Sequence, residues 1–234
     1  MTVLAIDASG LPATAAIVSE SKVLAECGVN LKKTHSETLL PMIERLFESA
    51  GMPPEDVDYI ACASGPGSFT GLRIGASTAK GIAFALGKKI IPVPTLDALA
   101  CNIFGGTHLT VPVMDARRSQ VYAAVYRGME RLAPYAALTL SGLKTLTAEA
   151  LEREGAALAV FVGDGADVYR RELSEFPFEM AFAPPHLNAQ RAATVGTLAV
   201  GMESSAVPEE EFTPFYIRLP QAERARLAKA GEHI

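Results

Sequence analysis

The sequence predicts a two-lobed α/β fold in which the two halves of the chain repeat one plan. Short apolar runs that fit buried strands alternate with segments of helical periodicity, as is typical of α/β proteins. The first apolar run of each half ends at an aspartate, Asp7 or Asp115, and a hairpin follows it. The 234 residues are enough to bury a sizeable core. We therefore expect an N-terminal lobe over residues 1–100, a C-terminal lobe over residues 101–234, and a cleft between them.

The first half is predicted as a meander followed by α/β units. A helix begins at Thr34-His-Ser-Glu37, which fits a capping box, and ends before Gly51, although it contains Pro41. A second helix runs from about Gly71 to Leu86. The strands of this half are predicted at residues 3–6, 13–18, 23–29, 57–63 and 88–93.

The second half is predicted to follow the same order of elements. Its strands are expected at residues 111–114, 120–126, 135–140 and 158–162. Its helices are expected at residues 147–154, 167–175 and 188–203. Because both halves open with a strand, an aspartate and a hairpin, we interpret the chain as a duplication.

Composition and charge narrow the class of protein. The formal net charge of −5 argues against a stand-alone nucleic-acid binder, but it allows an acidic subunit of an RNA-modifying assembly. The cysteines Cys27, Cys62 and Cys101 lie in apolar stretches without a C-x-x-C pair, so we expect buried thiols in a reducing cytoplasm. The N-terminus lacks the pattern of a signal peptide, and no apolar run is long enough for a bilayer, so we expect no membrane association.

The stretch SGPGSFTGLRIG, residues 64–75, fits none of the general glycine-rich motifs. A Walker loop would need a lysine after the glycines, and a dinucleotide fingerprint would need glycine where Thr70 stands. A nucleophile elbow would need serine where Phe69 stands. Its amides could face an anion at a helix start, or its small residues could permit close packing at a strand-to-helix turn. We favour the packing interpretation.

Polar residues give no catalytic or metal-binding pattern. Asp7 and Asp115 could bracket a metal–phosphate group across the cleft, but aspartate commonly ends a strand or begins a turn. The four histidines show no H-x-x-x-H or H-E-x-x-H spacing, which disfavours a zinc site built from neighbouring histidines. The residues alone therefore predict a two-lobed protein without a recognisable catalytic apparatus.

Five segments, in their order along the chain, resemble the bacterial TsaB (YeaZ) family. They are LAIDAS at residues 4–9, THSETLLP at 34–41, SGPGSFTGLRIG at 64–75, VMDARR at 113–118 and YIRLP at 216–220. The resemblance implies an actin/Hsp70/sugar-kinase-like fold and a role in making threonylcarbamoyladenosine beside the tRNA anticodon. It implies a non-catalytic scaffold that pairs with the catalytic, metal-carrying subunit TsaD, with the ATPase TsaE completing the assembly. Contact with tRNA is then indirect, through the complex.

One segment departs from the pattern of the catalytic subunit. TsaD carries a His-x-x-x-His metal pair after the strand that closes the first lobe, and the matching positions here are Thr95 and Leu99. Leucine cannot ligate a metal, so we expect no catalytic residues and no metal. The resemblance leaves Asp7, Ser9 and Asp115 as a vestigial nucleotide site. It implies no tightly bound cofactor and leaves ATP or ADP as a ligand for the partner interface.

Two other functions remain open from the sequence. One is a small ATP-dependent kinase or ATPase that uses Asp7, Asp115 and the turn Gly163-Asp-Gly165. The residues Leu11 and Pro12 argue against it, because a phosphate loop favours glycine and hydroxyl residues there. The other is a metallopeptidase of the glycoprotease type, which the missing histidine pair disfavours.

The two helices of the first lobe are predicted to form a partner-binding surface. Apolar residues cover a wider arc of helix one than a single buried face needs, and small residues recur every fourth position on helix two. We expect a homodimer in the isolated protein and a TsaD-like partner in the complex. The predicted partner-binding residues are Leu39, Leu40, Met42, Ile43, Leu46, Phe47, Gly71, Leu72, Gly75, Ala79 and Ala83.

Overall fold

The computed structural model describes residues 1–30 and 34–218, and these form two sheets with equivalent strand orders. The first sheet has the order β3-β2-β1-β4-β5, and the main path of the second is β10-β7-β6-β11-β12. In both sheets the first three strands on the path are antiparallel and the last two are parallel additions. This pattern confirms the predicted duplication.

The strands and helices lie close to their predicted positions. The strands are β1 Thr2–Asp7, β2 Ala13–Ser19, β3 Val23–Val29, β4 Tyr59–Gly65, β5 Lys89–Pro94, β6 Leu109–Asp115, β7 Gln120–Ala123, β8 Tyr126–Arg127, β9 Glu130–Arg131, β10 Ala136–Thr139, β11 Ala159–Val162 and β12 Met180–Phe182. The helices are α1 His35–Ala50, α2 Phe69–Leu86, α3 Thr95–Cys101, α4 Leu140–Glu154, α5 Asp164–Val168, α6 Arg170–Leu173 and α7 Ala192–Val200. The sequence did not predict α3, β9 or β12, and α4 begins at Leu140 rather than at Thr147. Leu219 and Pro220 of the last motif lie outside the described residues.

Strand β1 is buried on both faces because helices cover both sides of the first sheet. Leu4 and Ile6 belong to the apolar cluster beneath α1 and α2. Val3 and Ala5 point the other way, into a cluster that includes residues of α7. Alternate side chains of a strand face opposite sides of a sheet, so this short apolar run supplies two cores.

Helix α3 packs between the two sheets. Ala98 belongs to the cluster on the first sheet, whereas Leu96 and Leu99 belong to a cluster with Met114 and Val162 of the second sheet. A helix of seven residues shows too little periodicity to stand out in the sequence, which explains why the sequence did not predict it.

The chain returns to the first lobe near its C-terminus. Helix α7 packs on the first sheet through Ala192, Val195 and Ala199, and Val207 pairs with Ile90 of β5. The division into residues 1–100 and 101–234 stays a prediction, and this return means that the first sheet depends on residues from both ranges.

Two local expectations are wrong. Thr34 precedes α1 but its side chain makes no capping hydrogen bond, whereas Ser68 caps α2 by accepting from the Gly71 amide at 3.3 Å. Cys27 is exposed, because β3 is an edge strand with little cover, while Cys62 and Cys101 are buried as expected. Burial raises the pKa of both buried thiols.

The glycines of residues 64–75 allow a direct contact between α2 and the end of β1. A Cβ atom on Gly71 would collide with the carbonyl oxygen of Ala8, and one on Gly67 would collide with that of Ser9. The Ser68 amide also donates to the Ser9 carbonyl at 2.7 Å. The favoured packing interpretation therefore agrees with the contacts of this turn.

We predict that Gly71→Ala destabilises the protein by about 1–3 kcal/mol, since the new methyl group meets backbone that cannot rotate away. Gly81→Ala is the matched control in the same helix, because a Cβ there meets no atom of the described residues within 4 Å. It should stabilise by up to about 1 kcal/mol through helix propensity. Denaturant midpoints at fixed protein concentration test both, and equal effects of the two substitutions would contradict the packing role of Gly71.

Candidate functional site

A cavity of about 320 Å³ lies between the two lobes. The first lobe contributes the turn after β1 and the start of α2, and the second contributes the turn after β6 and the start of α5. The lining residues include Ser9, Gly10, Leu11, Ser68, Phe69, Asp115, Arg117, Tyr122, Asp164, Tyr216 and Arg218. The structure thus brings Ser9, Asp115 and Asp164 together in one cavity.

Asp7 is fully buried beneath this cavity and does not line it. Its Oδ1 accepts hydrogen bonds from the Ser9 amide at 2.8 Å and the Ser9 hydroxyl at 2.6 Å. Its Oδ2 has no hydrogen-bond partner among the residues that the structure describes. Desolvation raises the pKa of Asp7 to about 6, against the opposing effects of the Ser9 bonds and the nearby charge of His35.

Asp115 already forms hydrogen bonds and an ion pair with residues of its own lobe. Its Oδ1 accepts from the Arg117 amide at 2.8 Å and from the Tyr169 hydroxyl at 3.2 Å. Its Oδ2 lies 3.2 Å from the Arg117 guanidinium. A kinase or ATPase that used this carboxylate on a metal–phosphate group would have to replace the contact with Arg117.

The turn after β6 has an unusual backbone. Arg117, Arg118 and Ser119 all have φ between +56° and +63°, a region that costs a non-glycine residue about 1–2 kcal/mol. Asp115 and the bond from the Ala116 amide to the Gln120 carbonyl, at 3.0 Å, hold this turn. The conformation keeps the Arg117 guanidinium at the mouth of the cleft.

The segment after α7 supplies residues of the cleft whose position the sequence did not predict. The Phe215 amide donates to the Ser64 carbonyl at 2.9 Å, and the Tyr216 ring packs 5.2 Å from that of Phe69. Arg218 donates to the Ala116 carbonyl at 3.0 Å, so the segment connects both lobes. The motif YIRLP marked these residues, but spacing along the chain carries no information on where the segment returns.

Residues 95–99, whose first and last positions the family resemblance compares with a metal-binding histidine pair, are enclosed by apolar side chains. Thr95 and Leu99 are both buried, and Leu99 lies in the apolar cluster with Met114. Leucine offers no donor atom, so this segment cannot reproduce the histidine pair. Within residues 1–30 and 34–218, no group of three or more His, Cys, Asp or Glu residues is placed to hold a metal ion.

The predicted partner-binding residues fall into two groups. Only Leu40 is exposed, at 50% of its surface, and the other ten are buried. The small residues of α2 face their own sheet: Gly71 and Gly75 contact Ala8, and Ala79 and Ala83 are part of the core. Placing this ridge on a free surface was therefore wrong, because the close approach that it permits is made within the chain. The pairing itself stays a prediction.

An apolar groove lies on the outer side of α1 and α2. Two adjoining hollows of about 640 and 670 Å³ share Leu40, Ile82 and Ala85. Phe84, which is 77% exposed, follows Gly81 of the second hollow by three residues and so lies on the same side of α2. This groove is therefore the exposed apolar surface of α1 and α2, on the side of the two helices that does not pack on the sheet.

The two equivalent sheets and the cleft between them define a protein with the actin/Hsp70/sugar-kinase-like fold. The inorganic polyphosphate/ATP-glucomannokinase of Arthrobacter sp. strain KM superposes with a TM-score of 0.51 over 86% of this chain and 99% of that chain. The identity is 11%, so this likeness concerns the fold alone.

Similarity in sequence extends along nearly the whole chain. Over 229 residues it is 33% identical to the tRNA threonylcarbamoyladenosine biosynthesis protein TsaB of Bacillus subtilis, covering 95% of this chain and 96% of that protein. The chain belongs to the TsaB (YeaZ) family. YeaZ from Pseudomonas aeruginosa superposes with a TM-score of 0.74 at 26% identity, over 92% of this chain and 99% of that one. The family model described as "TsaD: tRNA N6-adenosine threonylcarbamoyltransferase" matches residues 22–226.

In the part of the chain that the structure describes, none of the helices combines the length and apolar character needed to cross a membrane.

We predict that Asp7 makes stability depend on pH. Because its pKa is raised to about 6, the folded protein holds this proton more tightly than the unfolded chain. The contribution of Asp7 is therefore most favourable below pH 4 and falls by up to about 3 kcal/mol as the pH rises to 6. Asp7→Asn should remove this dependence, so that its free energy of unfolding exceeds that of the wild type more at pH 8 than at pH 4.

Denaturant unfolding at pH 4, 5, 6 and 8 measures this difference. Ser9→Ala is the companion variant: it removes a hydrogen bond to the ionised carboxylate and should move the transition to higher pH. A constant difference between wild type and Asp7→Asn across this range would show that Asp7 does not titrate there.

Proposed function

We propose that this protein is a non-catalytic subunit required for forming threonylcarbamoyladenosine on tRNA, acting through a TsaD-like catalytic subunit. Membership of the TsaB family supports the pathway, because the Bacillus subtilis relative carries it in its name. The non-catalytic role is supported by Thr95 and Leu99, which supply no imidazole where TsaD has its metal pair. The observation that carries the scaffold role is the exposed apolar groove between α1 and α2.

A TsaD-like chain fits this groove because it shares the fold. The family model described as TsaD matches residues 22–226 of this chain, so a TsaD protein has counterparts of α1 and α2. Leu40 and Phe84 project from helices that also form the hollows, which makes the surface suited to a second pair of helices. We propose that a second copy occupies the groove in the isolated protein and that TsaD replaces it through an equivalent surface.

The remaining partners follow from this role. A TsaE-like ATPase completes the assembly, and tRNA is contacted through the complex, in keeping with the net charge of −5. The proposal includes no tightly bound cofactor and assigns any ATP or ADP to the partner interface. It also places the protein in the cytoplasm, where the modification of tRNA takes place.

We predict that Leu40→Glu abolishes pairing with both a second copy and the TsaD-like subunit. Leu40 is half exposed and lines both hollows, so the fold should tolerate the change, whereas an interface would have to bury an unpaired carboxylate. Phe104→Glu is the matched control, since Phe104 is 59% exposed and lies outside the groove. Light scattering and pull-down measure pairing, with circular dichroism to verify folding.

The same variants test the function with the TsaD-like and TsaE-like proteins of the same organism and unmodified tRNA. Wild type and Phe104→Glu should support formation of threonylcarbamoyladenosine, and Leu40→Glu should reduce it at least in proportion to the loss of pairing. Full pairing by a folded Leu40→Glu protein would place the interface elsewhere. Metal-dependent ATP hydrolysis by the isolated protein, lost in Asp7→Ala, would favour the kinase or ATPase alternative instead.

A further inference from the structure

The two lobes are connected by two segments of the chain that lie side by side. Residues 95–108 lead from β5 to β6, and residues 183–191 lead back from β12 to α7. The side-chain amide of Asn102 donates to the carbonyl oxygens of Leu187 and Ala189 at 2.9 and 2.8 Å, so the two connections are bonded to each other. Two adjacent connections form a hinge, because one lobe can rotate about them unless further contacts fix the angle.

The segment after α7 makes such contacts, and its first part is fixed to the first lobe. We call residues 212–218 the strap. Phe212 is buried in the apolar cluster beneath α1 and α2. The Phe215 amide donates to the Ser64 carbonyl at 2.9 Å, and a Cβ on Gly65 would collide with the Phe215 carbonyl oxygen. The strap therefore lies directly on the end of β4.

The strap also contacts the second lobe. The Phe215 ring stacks on that of Tyr135, with 5.8 Å between the ring centroids and 28° between the planes. The Tyr135 hydroxyl donates to Asp97 at 2.7 Å, which fixes the orientation of this ring. Arg218 donates to the Ala116 carbonyl at 3.0 Å. The strap thus joins the end of β4 to two points of the second lobe.

The strap crosses the cleft on the side away from the connection 183–191. Tyr216 and Arg218 line the cleft cavity. Residues 188–190 line a separate hollow of about 400 Å³, and Leu11 and Asp164 lie between the two spaces because they line both. The strap is therefore placed where rotation about that connection would separate the lobes most.

The strap is held to the second lobe by weak contacts. Residues 213–218 belong to no helix or strand, and residues 214–218 are half-buried. The stack on Tyr135 and the hydrogen bond from Arg218 are each weak interactions in water. Regions held by few contacts of this kind open locally at a lower free energy than the core does. This end of the strap can therefore open while both cores stay folded.

We propose that the strap fixes the angle between the two lobes and closes one side of the cleft, and that its release from the second lobe lets the lobes rotate and opens the cleft. None of residues 212–218 lines the groove of α1 and α2. The test of the strap is therefore independent of pairing through that groove.

The test measures the distance between the lobes in the full chain by double electron–electron resonance. One spin label is attached to Cys27, the exposed native cysteine of β3, and the other at position 152 of a Glu152→Cys variant, since Glu152 is exposed on α4. Cys62 and Cys101 are buried and so are protected from the label. An excess of unlabelled protein removes the distances between copies.

With the strap intact, we expect one narrow distribution of distances. Phe215→Leu combined with Arg218→Ala should broaden it about two-fold or add a second distance, because the stack and the hydrogen bond to the second lobe are both lost. Phe178→Leu is the matched control: it removes an aromatic pair with Phe176, at 5.6 Å, inside the second lobe. It should leave the distribution unchanged.

Three results would overturn the proposal. The first is a narrow distribution in the Phe215→Leu, Arg218→Ala protein when circular dichroism shows that it is folded. The second is an equal broadening by Phe178→Leu, which would make the effect a general loss of packing. The third is a broad distribution with the strap intact, because the strap would then not fix the angle.

A milder variant covers the case in which the double variant fails to fold. Arg218 is half-buried and its bond goes to a backbone carbonyl, so Arg218→Ala should leave both cores intact. It should still broaden the distribution, to a smaller extent than the double variant. A distribution identical to that of the intact strap would overturn the proposal.

Discussion

The close contact between a glycine-rich turn and the end of the neighbouring strand is the constraint on which both lobes depend. In the first lobe Gly71 lies against the carbonyl of Ala8, and in the second Gly163 and Gly165 lie against Val113 and Met114. Because glycine has no Cβ, the helix that follows each turn begins directly above the end of the first strand of its sheet. The same contact, made twice, brings both turns to one cleft.

This packing also decides which polar groups are buried and which surfaces stay open. The turn that carries Gly67 and Ser68 covers the end of β1 and helps to seal Asp7 from solvent, which raises the pKa of its carboxyl. Since α2 uses its small residues against β1, its opposite side remains free with α1. The groove around Leu40 and the burial of the Asp7 carboxyl therefore both follow from the way α2 packs on the first sheet.

Much of the fold could be predicted because periodicity reports burial along a single element. The strands of both meanders and helices α1, α2 and α4 follow from alternation or helical spacing. The sequence pattern did not predict helix α3, because its apolar residues pack against both sheets and leave no polar face to mark a helical period. Spacing also showed that one side of α2 permits close approach, but it could not show that the neighbour was Ala8 of the same chain.

By itself, the sequence determined the duplication, the family resemblance and the absence of imidazole at Thr95 and Leu99, since these depend on residue identity and local pattern. Only the tertiary structure decided that Ser9, Asp115 and Asp164 share a cavity, that Arg218 returns to it, and that Leu40 stays exposed while Ala79 does not. Such relations join residues that are far apart in the chain. Their burial and hydrogen bonds depend on tertiary packing, which cannot be predicted from the local spacing of residue types.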